Sequence, residues 1–152
     1  MLYTTQLTWL LVAAAVATAE KTVNIGILKR IPDAECLQRV KSYDQVSIHY
    51  IASVHKRPDS VFDQDYSPES GKTLEFVVGA PKREFAEGLD RGIMDMCVGE
   101  RRRLVVPPEL GYLPDPVYGY SGGQKAPYGV NLVFDVELVS ILNKSNPSRE
   151  EL

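Results

Sequence analysis

Few side chains in this sequence have the types and spacing that covalent catalysis requires. No Ser, His and Asp stand out in the order of a catalytic triad. His49 lies within an alternating strand pattern, and we interpret it as a surface or edge residue rather than a catalytic base. His55 falls in a turn beside two basic residues, which gives it no specific role. The histidines therefore indicate no acid–base chemistry.

Metal binding is equally poorly supported. The segment Asp63-x-Asp65-x-Ser67 begins like a calcium loop, but Pro68 replaces the required glycine and Glu69 does not occupy the twelfth position. A structural zinc site needs four nitrogen or sulfur ligands at tight spacing, and the two cysteines and two histidines form no such cluster. The sequence predicts neither a metal nor a cofactor.

A run of three arginines, Arg101, Arg102 and Arg103, leads into a strand pattern. Alternation places the middle side chain opposite the outer two, and we interpret the run as a solvated edge, because a phosphate site would need more basic residues. The net charge of −3 argues against a general nucleic-acid binder, since phosphate binding needs a basic field.

What remains is an aromatic set with one carboxylate beside it. By composition alone, residues of this type form a hydrophobic core. The set comprises Tyr50, Phe62, Phe76, Tyr112 and Phe134, with Asp63 next to Phe62.

The elements that position these residues are mostly strands. With 152 residues, the chain has room for one domain. Alternating apolar residues predict strands near residues 22–27, 44–54, 74–78, 102–106 and 130–141, with a turn at 55–59 and a long loop at 111–129. Apolar residues at helical spacing predict one helix that Gly99 terminates, through Phe85, Leu89, Ile93 and Met96. The predicted class is α+β, an antiparallel sheet covered by one helix.

The start of the chain predicts secretion. Residues 1–19 carry no charged side chain and end in Ala17-Thr18-Ala19, a small-x-small pattern typical of signal-peptidase sites. The apolar run is shorter than the ~20 residues of a spanning helix, which disfavours an uncleaved anchor. We predict a signal peptide at 1–19, a domain at 20–142 and a polar tail at 143–152, without stable membrane insertion after cleavage.

The tail also resembles a targeting signal. It ends in Arg149-Glu150-Glu151-Leu152, which is similar to the Lys-Asp-Glu-Leu type of endoplasmic-reticulum retrieval signal. Together with a signal peptide, this end predicts residence in the lumen of the endoplasmic reticulum and a retrieval receptor as a partner. Asn143-Lys144-Ser145 is a formal N-glycosylation sequon in the same tail.

The lumen of the endoplasmic reticulum is oxidising, which favours disulfide formation between cysteines. Cys36 and Cys97 can form one disulfide across a long loop, worth about 4 kcal/mol by chain entropy. The alternative is two buried free thiols that act as small apolar residues.

Four segments closely resemble the FKBP-type peptidyl-prolyl isomerases. They are residues 96–112, Ile48-His49-Tyr50, Phe62-Asp63 and residues 132–138, in family order across about residues 22–142. The two cysteines and the Glu-Leu end are most similar to the small lumenal member of the endoplasmic reticulum, a branch with a disulfide and a retrieval tail.

The resemblance implies a twisted antiparallel sheet wrapped around one short helix, with a proline pocket between them. It also implies an isomerase for proline-containing polypeptides that macrolides such as rapamycin inhibit. By position, the functional residues would be Tyr50, Asp63 and Tyr112, and the substrate-binding walls Phe62, Phe76, Phe85, Ala86, Leu89 and Phe134.

The pocket rim departs from the family pattern. Leu89 replaces the usual tryptophan of the pocket floor, and Phe85-Ala86 replaces the usual Val-Ile pair. Leu113 replaces a glycine, and a longer loop follows it. These changes leave an alternative open, namely a catalytically weak or inactive peptide-binding or chaperone module that uses residues 113–128 as its contact surface.

Overall fold

The computed structural model of the chain describes residues 21–80, 86–112, 114–115, 119–120 and 127–144. Six strands form one antiparallel sheet in the order β1-β5-β8-β2-β3, and β4 also pairs with β2. A two-stranded ribbon, two short 3₁₀ turns and one helix complete the described elements. The α+β class, with an antiparallel sheet and one short helix, is confirmed. The strands are β1 (Asn24–Lys29), β2 (Gln45–Val54), β3 (Arg57–Asp63), β4 (Leu74–Val77), β5 (Arg101–Val106), β6 (Pro114–Asp115), β7 (Gly119–Tyr120) and β8 (Leu132–Ile141).

The two long strands in the middle of the sheet follow the predicted alternation. Every second residue of β2 and β8 is buried on the inner face, and the two strands pair over nearly their whole length. Tyr50 lies opposite Val136, and Phe134 lies opposite Ala52. The pleat therefore delivers the two aromatic side chains to the same inner face.

The helix, α1 (Glu87–Gly92), lies directly against β5. A Cβ atom added to Gly88 would come within 2.4 Å of a Val106 methyl carbon. One added to Gly92 would come within 2.3 Å of a Leu104 methyl carbon. Because the two glycines are four residues apart, they share one helix face and allow this close approach.

The helix is shorter than the apolar spacing predicts, and the prediction that Gly99 terminates it is wrong. Helix α1 ends at Gly92, and Ile93 caps it. Gly99 has φ +87° in the turn before β5, where its N–H donates to the Leu138 carbonyl at 2.8 Å. Ile93 and Met96 are buried beyond the helix, so their spacing reflects the core rather than continued helix.

The predicted turn at residues 55–59 is too long. The turn itself is His55-Lys56, and β3 begins at Arg57, which pairs with Val54. Lys56 takes the left-handed conformation at φ 62° that a tight turn needs. Pro58 lies inside β3, and it fits there because β3 is at the edge of the sheet, where a missing N–H breaks no ladder.

The interpretation of the arginine run as a solvated edge is wrong for its middle residue. Strand β5 lies between β1 and β8, and Arg102 points inward with 9% of its surface exposed. Its Nε donates to Glu100 Oε1 at 2.7 Å. Its Nη1 donates to the Gly92 and Met94 carbonyls at 2.9 and 2.8 Å, so this guanidinium satisfies the last carbonyls of α1.

The outer two arginines are exposed and form cross-strand ion pairs with β8. Arg103 binds both carboxylate oxygens of Asp135 at 2.7 Å, and Arg101 lies 3.8 Å from Glu137. The acidic partner raises the pKa of Arg103 above its ordinary value.

The predicted disulfide is present. Cys36 and Cys97 are bonded, with their Cα atoms 5.6 Å apart. The bond joins the segment before β2 to the segment after α1, beside a bridge between Arg39 and Cys97. The Cys97 N–H donates to Glu100 Oε2 at 2.9 Å, so the disulfide adjoins the arginine network under the helix.

Three predictions lie wholly or partly outside the described residues: the signal peptide at 1–19, the retrieval-like end, and the loop after Tyr112. Phe85 also lies outside them. Within the described part of the chain, none of the helical segments has the length and hydropathy of a bilayer-spanning helix.

Candidate active site

Strands β2 and β3 bring Tyr50 and Asp63 together. Tyr50 lies on the inner face of β2 with 4% of its surface exposed, and Asp63 is the last residue of β3, opposite Ala52. The Tyr50 hydroxyl donates to Asp63 Oδ2 at 2.5 Å. Asp63 Oδ1 accepts from the Asp65 N–H at 3.1 Å, so both oxygens of this carboxylate are held.

Burial and this carboxylate keep the site tyrosines neutral. Burial, and then the hydrogen bond to Asp63, raise the pKa of Tyr50 well above its ordinary value. Burial, and then the negative charge of Asp63, raise the pKa of Tyr112 in the same direction. Both phenols therefore remain proton donors at any physiological pH.

Five aromatic rings form a continuous chain across the inner face. Tyr66 stacks on Tyr50 with ring centroids 5.7 Å apart, and Tyr50 meets Phe134 at 5.9 Å. Phe134 meets Tyr112 at 6.4 Å, and Tyr112 meets Phe62 edge-on at 6.1 Å. We call these five residues the aromatic cluster. Its rings lie within the range of favourable aromatic contacts and give an apolar surface with few flexible parts.

The hydroxyl of Tyr112, like that of Tyr66, is a free polar group of this cluster. Tyr112 follows the 3₁₀ turn Pro108–Leu110, and only 3% of its surface is exposed. No described residue hydrogen-bonds its hydroxyl, and no buried side-chain oxygen or nitrogen among the described residues lacks a partner. The Tyr112 oxygen therefore reaches solvent and can donate to a bound group.

The helix contributes the residues beneath the cluster. Ala86 is the N-cap of α1 and Leu89 lies in its first turn, and both are fully buried in the core that contains Tyr50 and Phe134. Phe76 on β4 is half-buried and packs against the same core. The structure thus brings together the described members of the predicted site, while Phe85 lies outside the described residues.

Sequence reasoning missed Tyr66 as a member of the aromatic cluster and gave His49 no role beside it. Tyr66 comes from the segment between β3 and β4, and its carbonyl accepts the Tyr50 N–H at 3.0 Å. His49 is half-buried in β2, with Nδ1 at 3.2 Å from the Tyr66 carbonyl and 2.9 Å from the Lys72 carbonyl. The side chain of His49 therefore fastens this segment to the sheet.

This arrangement offers binding and orientation rather than covalent chemistry. Its polar groups are neutral phenols and one carboxylate that already accepts a hydrogen bond from a phenol. Among the described residues, no three His, Cys, Asp or Glu side chains lie close enough to hold a metal ion. An apolar wall with free phenolic hydroxyls suits a neutral ligand that carries a carbonyl acceptor.

Comparisons with known proteins identify the family. The sequence profile of the FKBP-type peptidyl-prolyl cis-trans isomerases matches residues 36–139. FK506-binding protein 2 of Yarrowia lipolytica is 40% identical over 145 residues, which are 93% of this chain and 91% of that protein. Peptidyl-prolyl cis-trans isomerase FPR2 of Saccharomyces cerevisiae is 40% identical over 119 residues, covering 78% of this chain and 81% of that protein.

Solved structures agree with the sequence relatives. The crystal structure of AtFKBP13 is similar with a TM-score of 0.58 and 25% identity, over 79% of this chain and 93% of that one. The N-terminal domain of FKBP42 from Arabidopsis thaliana has a TM-score of 0.61 at 22% identity, over 82% and 89%, and supports the fold. The profile match and the relatives at 40% identity show that this chain belongs to the FKBP-type peptidyl-prolyl cis-trans isomerase family.

Proposed function

We propose that this protein accelerates cis–trans rotation of X-Pro bonds in secretory-pathway polypeptides, and that the aromatic cluster binds the proline. The observation that carries the proposal is the free Tyr112 hydroxyl beside an apolar wall of rings. A proline ring fits such a wall, and the carbonyl before it supplies the acceptor that Tyr112 lacks.

The reaction needs no covalent intermediate. Resonance gives the C–N bond partial double-bond character, and rotation costs about 18–20 kcal/mol. At the twisted transition state this resonance is lost and the carbonyl is less polarised. An apolar site therefore disfavours the polar planar ground state relative to the twisted state, which is differential binding of the transition state.

Each polar residue then has a distinct proposed role. Tyr112 donates to the substrate carbonyl and holds the twisted geometry. Asp63 accepts from Tyr50 and orients it, so Tyr50 and Asp63 shape the wall and its charge. The apolar contacts to the proline and its neighbours would come from Phe62, Phe76, Phe85, Ala86, Leu89 and Phe134.

The proposed location is the lumen of the endoplasmic reticulum. The signal-like residues 1–19, the disulfide between Cys36 and Cys97 and the Arg-Glu-Glu-Leu end support it. Under this proposal the active domain is residues 20–142, a retrieval receptor binds the tail, and a rapamycin-type macrolide competes with substrate at the aromatic cluster.

Leu89 supports a second candidate, a binding module without catalysis. As the proposed pocket floor, the fully buried Leu89 would offer a proline ring less flat surface than an aromatic side chain would. Such a pocket would hold proline-containing peptides without stabilising the twisted state.

NMR exchange spectroscopy on a short X-Pro peptide, with the mature chain and a rapamycin control, separates the two candidates. Acceleration that rapamycin abolishes supports the isomerase. Peptide binding without acceleration, by a chain whose NMR spectrum shows a folded protein, supports the binding module. A folded chain that neither binds nor accelerates contradicts both.

A further inference from the structure

The turn that ends β8 holds one exposed asparagine in a fixed orientation. Asn143 Oδ1 accepts from the Gln45 N–H at 3.0 Å, beside a backbone bond from Leu142 to Gln45 at 2.7 Å. The next residue, Lys144, binds Asp44 Oδ2 at 2.5 Å and the Arg39 carbonyl at 3.2 Å. The Asn143 amide is therefore presented at the surface on an ordered support.

The amide nitrogen of Asn143 remains available for modification. Among the described residues its only contact is the Tyr43 carbonyl at 3.5 Å, the far limit of a hydrogen bond. Nδ2 carries two hydrogens, and replacement of one leaves the other to make this contact. A substituent on Nδ2 also leaves the bond between Oδ1 and Gln45 intact.

Tyr43 is an unusual residue for its place beside this nitrogen. It has φ 68°, a left-handed conformation that glycine or asparagine adopts more readily, and 74% of its surface is exposed. Its N–H donates to the Val78 carbonyl at 2.9 Å, but no described aromatic ring packs against its side chain. Tyr43 is thus an exposed aromatic residue whose backbone carbonyl contacts Nδ2.

We propose that Asn143 carries an N-linked glycan and that Tyr43 packs against its first sugar. Asn143-Lys144-Ser145 has the acceptor pattern, with no proline in the middle position. In the transfer, Nδ2 bonds to the anomeric carbon of a lipid-pyrophosphate-linked oligosaccharide. The bond from that carbon to the phosphate oxygen breaks, the lipid pyrophosphate leaves with the electron pair, and the amide proton passes to the base of the lumenal transferase.

The proposal rests on the lumenal location in the proposed function, and the experiment reads the two separately. The full chain is expressed in a eukaryotic secretory host, and its N-terminus and intact mass are measured. We expect a chain that begins at Glu20 and carries one glycan. Asn143→Gln and Ser145→Ala should both lose it. Ser145→Ala is the matched control, because it removes the acceptor pattern and leaves the Asn143 side chain in place.

Each outcome has one meaning. A chain that is cleaved and lumenal but has an unmodified Asn143 overturns the glycan proposal and leaves the proposed function standing. A chain that is neither cleaved nor lumenal overturns both the location and the glycan. A glycan that survives Ser145→Ala places the modification elsewhere and also overturns the proposal.

The role of Tyr43 is tested by comparing the melting temperatures of glycosylated and unglycosylated chains, with and without the Tyr43 side chain. The glycosylated chain should melt about 3 °C above Ser145→Ala, because the sugar covers the exposed ring. This increment should vanish in a Tyr43→Ala background and persist in a Tyr128→Ala background, where an exposed tyrosine elsewhere is removed. Equal increments in the three backgrounds would overturn packing of the sugar on Tyr43. Treatment with endoglycosidase H, which leaves the first sugar, should preserve the increment.

Discussion

The Tyr50 hydroxyl donates a 2.5 Å hydrogen bond to Asp63, and that carboxylate also accepts the Asp65 N–H. The pair links an interior strand of the sheet to the end of its edge strand. It therefore fixes the wall of the aromatic cluster at the point where β3 leaves the sheet.

Removing both members of this pair should cost less than the sum of the two single changes. Tyr50→Phe should lower the free energy of unfolding by about 1–2 kcal/mol, because it leaves a partly buried carboxylate without its phenol. Asp63→Asn should cost about as much. The double variant should cost less than the sum of the single changes, as urea unfolding of all four proteins would show. Strict additivity would mean that the hydrogen bond contributes nothing to stability.

Tyr112→Phe should separate catalysis from stability. Because no described residue bonds this hydroxyl, its loss should change the free energy of unfolding by less than about 0.5 kcal/mol. The value of kcat/KM should fall about tenfold, which corresponds to one lost transition-state hydrogen bond of about 1.4 kcal/mol. Exchange spectroscopy and urea unfolding measure the two quantities. Parallel losses of activity and folding would assign Tyr112 to the core instead.

The raised pKa values of Tyr50 and Tyr112 predict a loss of stability in alkali. Both lie above the ordinary 10.0, so the unfolded chain gives up these protons first. Their contribution is complete below about pH 10 and declines as the pH rises beyond it, because the unfolded state then binds fewer protons. Urea unfolding from pH 8 to 11 should show a steeper decline in the native chain than in Tyr50→Phe. Identical slopes would contradict the burial of this phenol.

The glycine face of α1 should tolerate no methyl group. Gly88→Ala and Gly92→Ala each place a Cβ inside the contact distance of a β5 side chain, and we expect a loss of about 1–3 kcal/mol from overpacking. Gly26→Ala is the control, since its Cβ would meet only ordinary contacts at 3.7 Å and beyond. Thermal melts of the three variants test this. A Gly88→Ala chain as stable as Gly26→Ala would show that the helix can shift without cost.

Removing only one partner of the buried ion pair between Arg102 and Glu100 should destabilise the protein strongly. Arg102→Met removes the donor to the carbonyls of Gly92, at the end of α1, and Met94, just beyond it. It also leaves Glu100 buried without its cation, with an expected loss of about 3–5 kcal/mol. Adding Glu100→Gln to Arg102→Met should restore part of the lost stability. Arg103→Met, which breaks an exposed pair, should cost about 1 kcal/mol or less. Equal losses for Arg102→Met and Arg103→Met would contradict the inward position of Arg102.

Local patterns were enough to predict the long elements. Apolar residues alternate with more polar ones along β2 and β8. Because this pattern involves residues two positions apart in the same strand, it can be recognised without knowing which strands lie beside it. The family resemblance located Tyr50, Asp63, Phe62 and Tyr112 as one site before any geometry was known, and the structure brings those four residues together.

The features that the sequence predicted wrongly all depend on contacts with other segments of the chain. Pro58 suggests a turn until the edge position of β3 is known, and Arg102 suggests a solvated edge until β1 and β8 flank β5. Where α1 ends, its Gly92 carbonyl accepts from the Arg102 guanidinium, ten residues further along the chain.

The sequence by itself therefore determined the family, the class of fold, the two central strands and most of the candidate site. Only the tertiary structure decided which side chains face inward at β5, where α1 stops, and that Tyr66 completes the aromatic cluster. Periodicity records the local geometry of one segment. Burial and hydrogen bonding also depend on which segment packs against it, and that choice is made by the whole chain.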